Sequence, residues 1–414
     1  MNDLHAIPEK SRIQHIDVIR GIAILGILLV NMAHFSYPDL YLLLIEPNNF
    51  FTKEWSTADQ ITTTLLDIFV QMKFILMFSF LFGFGMIIMM ERAEEKGQKF
   101  GPIYIRRLLA LLLFGTIHAF FIWDGDILTE YALLGFVLFL FRKRRPKTLL
   151  IWMIVFYALF ALPIVLATAF SVKESAEMAE FQTEMAAESE QNAKQALQNY
   201  GEGTFIEIAK QRIHDRMYYM SMNGMASLNP ILYFYVNIPY FSMFLLGAYF
   251  AKRKILHRPN DFKSSLKKLW IISLVVGLPS NFIYAFYENE AFLLLGAPFL
   301  MLFYVISVVF LLKFAWGKKI LMPFAAVGRT AFTNYIMQSV IATTLFYNYG
   351  FGLYGKVHPF LGLFISLGIF FGQLIISNFW VKYFSYGPLE WVWRIVTYKK
   401  APQFRYDHGA KKLG

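Results

Sequence analysis

Ten apolar runs dominate this chain, at 17–37, 60–90, 104–123, 126–141, 148–171, 230–251, 268–287, 292–313, 321–348 and 359–384. Most are close to the ~20 residues that cross a bilayer as a helix. In lipid every backbone N–H and C=O must be satisfied within its own segment or in a closed barrel. Runs of this length therefore dictate an all-α, polytopic membrane helical bundle with about ten transmembrane helices. The 60–90 run exceeds the need and is expected to tilt or to extend beyond the bilayer. The 126–141 run is short and opens on Asp126. With 57% hydrophobic residues and 44 Phe, the chain is built to present apolar surface to lipid and to neighbouring helices.

Loop charge orients the runs. Basic residues gather at Lys10 and Arg12, at Arg92 to Arg107, in the block 142–147, at Lys252 to Lys268, at Lys313 to Lys319 and in the C-terminal tail. The intervening short loops, such as 123–126 and 288–290, are acidic or nearly uncharged. This alternation follows the positive-inside rule and predicts that both termini are cytoplasmic. It also accounts for the net charge of +11 without nucleic acid. The chain has no cysteine, which removes disulfides, thiol nucleophiles and cysteine-based metal centres. No metal site is expected.

One external segment breaks the pattern. Residues 172–229 are rich in Glu, Ala, Met and Gln and read as one helix, stopped at Gly201-Glu202-Gly203, then a second through Arg216. It is either a solvated connector or a hairpin over the external mouth. It separates an N-terminal five-helix half, 1–171, from a C-terminal half with cytoplasmic tail, 230–414, and no internal repeat relates the two.

Polar groups inside the runs mark a site. An ionisable side chain at the bilayer centre costs roughly 2.5–3.5 kcal/mol on insertion scales, so such groups face the bundle interior or water. Asn31, His34, Asp67, Lys73, His118, Asp126, Glu130, Asn334 and Gln338 all fall in or at the edges of runs. Asp17 and Arg20 share a helix face at the cytoplasmic entry of run one and can pair. Arg20 also suits phosphate binding. Asp126 is placed to cap run four, but capping leaves Glu130, one turn deeper, unexplained. His118 with Asp124 or Asp126 reads as a base oriented by a carboxylate. Asn334 and Gln338, four apart, form a polar stripe that either packs between helices or walls a central cavity. Glu390 and Arg394 are expected to pair on a short interfacial helix.

The opening Ile16-Asp17-Val18-Ile19-Arg20-Gly21-Ile22-Ala23, the segment Gly125-Asp126-Ile127-Leu128 with Tyr131, the pair Asn334-Tyr335 and the run Gly387-Pro388-Leu389-Glu390-Trp391 resemble the YeiB-type family of bacterial membrane proteins. The resemblance spans most of the chain and implies the bacterial cytoplasmic membrane. More distantly, Asp17 to Asn31 resembles the first helix of transmembrane acyltransferases of the acyltransferase-3 and heparan-alpha-glucosaminide N-acetyltransferase types. That likeness implies a cytosolic acyl-CoA donor, not tightly bound, near Arg20. Acyltransferase-3 proteins usually carry His eleven residues after that Arg, where this chain has Asn31. The base then falls to His118 or His34, with His358 a third candidate.

Two functions are compatible with these residues. In the first, a membrane acyltransferase binds its donor near Arg12, Asp17 and Arg20. His118 or His34 deprotonates an acceptor (a small molecule, lipid or glycan), and Asp126 orients the base. Asn31 or Asn334 hydrogen-bonds the thioester carbonyl, and Asp67, Glu130, Tyr131 and Gln338 line the substrate path. In the second, the carboxylates couple proton flow to transport, or the protein binds lipid or a small molecule without chemistry. Membrane lipid is a partner in both. The oligomeric state is left open, a homodimer being one alternative.

Overall fold

The structure, a computed structural model, describes residues 13–42, 45, 49–170, 176–222, 225 and 229–406. Lys10 and Arg12 lie outside the described residues. The chain begins with Gln14–Ser36 (α1), Asp39–Leu42 (α2), Thr57–Phe69 (α3), Lys73–Glu95 (α4) and Phe100–Ile117 (α5). Helix α5 runs on as a π-helical turn, His118–Ile122, followed by Leu128–Phe141 (α6) and Pro146–Ala169 (α7). Next come Ala176–Glu202 (α8) and Phe205–Met222 (α9), then Pro230–Val236 (α10), Ile238–Lys252 (α11), Lys263–Tyr287 (α12) and Glu290–Leu311 (α13). The last are Ala315–Arg329 (α14), Ala331–Phe346 (α15), Pro359–Tyr383 (α16) and Pro388–Tyr398 (α17). Among the described residues the β-contacts are limited to an isolated bridge between Phe384 and Arg405. The protein is an all-helical, multi-pass membrane bundle.

Among the described residues seven helical segments are long and apolar enough to span a bilayer, and an eighth arises if the bent pair α10–α11 counts as one. Two of the ten apolar runs fall outside these spans. Helix α6 has only 14 residues. The 321–348 run divides into α14 and α15 at Thr330. Glu390 on α17 caps the break. Its Oε1 accepts from the backbone N–H groups of Phe332 (2.7 Å) and Thr333 (3.1 Å), and its Oε2 from Thr333 Oγ1 (2.5 Å). A carboxylate is thereby seated on the positive end of α15. The expected Glu390–Arg394 pair does not form, because the cap occupies Glu390 while Arg394 lies over the ring of Tyr386, 4.4 Å from its centroid. Glu390→Ala is expected to lower stability by about 1–3 kcal/mol, the range for lost hydrogen bonds to a charged acceptor. A melting curve in detergent reads this, with Glu390→Gln losing less.

Helix α7 shows almost all of its residues to the outside, with Ile151, Leu159 and Leu162 exposed, as lipid-facing surface must. The interior forms around α1, α4, α11 and α13. Helices α1 and α14 cross so closely that a Cβ on Gly21 would lie 2.0 Å from the Phe324 carbonyl oxygen, and one on Gly328 1.9 Å from that of Asp17. Glycine is required there because the two backbones touch.

Helices α8 and α9 form a hairpin at the end of the bundle opposite the basic loops. Helix α8 ends at Glu202, where the glycines stop it. Thr204 and Glu207 then open α9 as a capping box, with Glu207 Oε2 accepting from Thr204 N at 2.7 Å and Glu207 N donating to Thr204 Oγ1 at 3.4 Å. The hairpin buries Ala193, Ala196, Tyr200 and Ile208 against the bundle. Its polar outer face is solvated, but its inner face is packed.

Candidate functional site

A cavity of about 430 Å³ enters the bundle from its basic end, between α1, α4, α5, α15 and α17. Seven Lys and Arg residues line it, including Arg20, Arg107, Arg329 and Arg394, against two acids, Asp17 and Glu390. Arg20 Nη1 donates to Asp17 Oδ1 (3.2 Å) and to the Gly328 carbonyl (3.3 Å). The Arg107 guanidinium stacks on Trp393, 3.7 Å from the ring centroid. The deeper lining is apolar and aromatic: Phe78, Leu81, Phe82, Leu111, Leu128 and Tyr335. The volume falls in the ordinary range for small-molecule sites. A cationic rim over an apolar shaft suits an amphiphile with an anionic head.

Tyr335 belongs both to the shaft and to a buried polar group beyond it, since its ring lies 5.2 Å from that of His118. His118 Nδ1 is 2.8 Å from Asp126 Oδ1, and Nε2 is 2.9 Å from Ser339 Oγ. The carboxylate can only accept, so Nδ1 carries the proton and Nε2 is left to accept from the serine hydroxyl. The other oxygen of Asp126 accepts from Thr129 N and Thr129 Oγ1, both at 2.9 Å. One carboxylate thus caps α6 and fixes the imidazole. His118, Asp126 and Ser339 are each about 1% exposed. The π-helical turn that starts at His118 closes with Trp123 N donating to His118 O at 2.8 Å. It sets Trp123 against both histidines, 6.1 Å from His118 and 5.2 Å from His34 between ring centroids.

A second polar group lies at the hairpin end. His34 Nε2 is 2.7 Å from Asp124 Oδ2. Around them Tyr37, Asp39, Tyr41, Tyr200 and Asp215 enclose a space of about 10 Å³, room for one water-sized guest. Asp215 of α9 accepts from Tyr41 (2.5 Å), Tyr200 (2.7 Å) and Gln211 (2.7 Å). Burial pushes its carboxyl up from the ordinary range, and its hydrogen bond to His214 raises the imidazole. Arg216, also on α9, enters the bundle. Nη2 donates to Glu130 Oε1 at 2.9 Å, and Nη1 to the carbonyls of Asp124 (3.1 Å) and Asp126 (3.2 Å). Arg212 holds the carbonyls of Phe120 (3.1 Å) and Ile122 (3.2 Å). The hairpin thus grips the segment that carries the histidine and both aspartates.

A model of the family described as "Protein of unknown function (DUF418)" matches residues 250–400. Uncharacterized protein YxaH of Bacillus subtilis is 54% identical over 398 residues, covering 96% of this chain and 97% of the relative. The chain belongs to the DUF418 family. Uncharacterized protein YeiB of Escherichia coli is 28% identical, with 93% of this chain and 96% of the relative aligned. An uncharacterized 39.9 kDa protein of the amylase 3' region in Bacillus acidopullulyticus is also 28% identical, over 94% of each chain. No solved structure is significantly similar.

In this DUF418 chain the residues singled out from sequence do not all converge. Asp17, Arg20 and Tyr131 line the cavity. His118, Asp126 and Glu130 lie together beyond its apolar end. Asn31 lines neither cavity. Asp67 lines neither cavity either, and its backbone carbonyl accepts from buried Lys73 Nζ at 2.6 Å. Asn334 and Gln338 do not wall the cavity. Asn334 donates to Thr330 Oγ1 (2.9 Å) and Ser377 Oγ (3.0 Å), and Gln338 donates to Gln373 Oε1 (2.9 Å), so the stripe joins α15 to α16. The cavity wall on α15 is instead Ala331, Phe332 and Tyr335. His358 sits 3.7 Å from Asp59, apart from both sites. Arg212, Arg216 and Ser339 were not singled out from sequence. Two arginines four apart in a Glu-rich hairpin were the available signal for the first two, and the position next to Gln338 of the polar stripe for the third.

Proposed function

We propose that this protein is an acyltransferase of the bacterial cytoplasmic membrane, moving an acyl group from a cytosolic acyl-CoA-type donor to an acceptor on the external side. The observation that carries the reading is the cavity. Its cationic rim suits the phosphates of a CoA-type head, its apolar shaft suits an acyl chain, and the shaft stops at Tyr335 beside His118 and Asp126. The positive-inside rule assigns the rim to the cytosol. His118 then serves as the base nearest the donor, oriented by Asp126. His34 with Asp124 faces the hairpin side, where a hydroxyl or amine acceptor would arrive. Asn31 and Asn334 do not line the shaft, so neither is assigned to the thioester carbonyl.

The test is thermal stability of the detergent-purified protein across CoA and acyl-CoA species. Binding to the folded state stabilises by RT ln(1 + [L]/Kd), about 2.7 kcal/mol at a hundredfold excess over Kd. A rise in melting temperature is expected that grows with chain length and is largely lost in Arg20→Ala. Absence of a shift with every species would remove the donor assignment. The observation that favours transport instead is the set of buried carboxylates under the hairpin, Asp124, Asp126 and Glu130. Proton-driven solute uptake by proteoliposomes lacking any acyl donor would replace the present reading.

A further inference from the structure

We infer that Ser339 is a covalent nucleophile, accepting the acyl group before it passes to the acceptor; this rests on the acyl-transfer reading above. Ser339 Oγ, His118 Nε2, His118 Nδ1 and Asp126 Oδ1 form a continuous relay with steps of 2.9 and 2.8 Å. Nucleophile, base and orienting carboxylate stand in hydrogen-bond reach in that order, the geometry by which a serine is activated whatever the fold. Ser366, by contrast, satisfies itself on its own helix, donating to the Gly362 carbonyl at 2.9 Å. Ser339 instead reaches a histidine on another helix whose second nitrogen is already fixed.

The relay sits one helical turn from the cavity wall, since Tyr335 and Ser339 are four residues apart on α15. Beside it lies an unspent donor. Trp123 Nε1–H is buried with no hydrogen-bond partner among the described residues, and its ring centroid lies 5.2 Å from that of His34 and 6.1 Å from that of His118. A buried N–H of this kind can stabilise negative charge that develops on a carbonyl oxygen.

The chemistry balances in two steps. Ser339 Oγ attacks the thioester carbonyl while His118 Nε2 takes its proton. The C–S bond then breaks, and the thiolate leaves as the free thiol with that proton, giving an acyl ester on Ser339. In the second step the acceptor hydroxyl or amine gives its proton to His118 Nε2 and attacks the ester carbonyl. The C–Oγ bond breaks, and Ser339 recovers the proton. Asp126 is a positioning residue throughout.

The experiment uses a long-chain alkyl fluorophosphonate, a serine-directed probe able to enter an apolar shaft, on the full chain in detergent. Peptide mass mapping should find one adduct, on the peptide carrying Ser339. It should be absent in Ser339→Ala, formed about 10²–10⁴-fold more slowly in His118→Ala, and faster in Tyr335→Ala, where the wall is opened. No adduct at Ser339 in either wild type or Tyr335→Ala would overturn the inference. So would acyl-CoA turnover at the wild-type rate in Ser339→Ala, which leaves the acyl-transfer reading standing. An adduct that forms but is not slowed by any acyl-CoA would keep the nucleophile and remove the donor.

Discussion

Replacing Arg216 by alanine is expected to destabilise the protein by about 3–5 kcal/mol, the cost of leaving one member of a buried ion pair without its partner. Glu130 and Arg216 are 0% and 1% exposed at their side chains, so water does not compensate the carboxylate. The same substitution frees the carbonyls of Asp124 and Asp126, which Arg216 holds. Removing both charges should do much less harm. Glu130→Leu with Arg216→Met is expected to recover most of the loss, because an apolar pair carries no desolvation penalty. Melting curves of the two variants test this order, and proteolysis from the hairpin side tests undocking of α8 and α9. If Arg216→Ala melts within about 0.5 kcal/mol of wild type, the hairpin does not grip the bundle as described.

Loss of His118 should remove turnover while sparing donor binding. His118→Ala is expected to lower the rate of thiol release from acyl-CoA by about 10²–10⁴-fold, the usual worth of a positioned base. The acyl-CoA melting shift should survive, since the cationic rim is at the other end of the shaft. Asp126→Asn separates geometry from electrostatics. An asparagine oxygen can still accept from Thr129 N and preserve the α6 cap. Its amide would face His118 Nδ1 and drive the proton to Nε2, so that Ser339 meets a donor in place of an acceptor. A rate loss comparable with that of His118→Ala, with little loss of stability, is expected. The chain contains no cysteine, so a thiol reagent reads released CoA without background from the protein. Full turnover in both His118→Ala and His34→Ala would end the assignment of either histidine as the base.

The elements of the fold were legible because they depend on local sequence. The apolar runs, the glycine stop at the end of α8 and the proximity of His118 to Asp126 all act within a few residues or across one short loop. The sequence also placed the cationic mouth, through Asp17 and Arg20 on one helix face. What it could not supply was helix rotation. Asn334 and Gln338 share a stripe with period four, and nothing in that period says whether the stripe meets α16 or a cavity. Long-range pairs were equally hidden. Ser339 lies 221 residues from His118, and a serine among apolar residues carries no mark of its partner. Glu390 has a basic residue four positions on, yet caps a helix 57 residues away at Thr333, because unsatisfied N–H groups at α15 attract the carboxylate while the half-buried Arg394 guanidinium lies over Tyr386.

The docking of α9 onto Glu130 also fixes an order of events during synthesis. Glu130 leaves the ribosome 86 residues ahead of Arg216, an interval of roughly 4–17 s at ordinary elongation rates. Throughout it, the 14-residue apolar helix α6 must hold a carboxyl group at the membrane edge without the guanidinium that later meets it. The nascent N-terminal half is therefore an incomplete assembly, and the hairpin is the late-arriving part that locks it. Truncated chains ending before Arg216 should be the ones that membrane quality control removes.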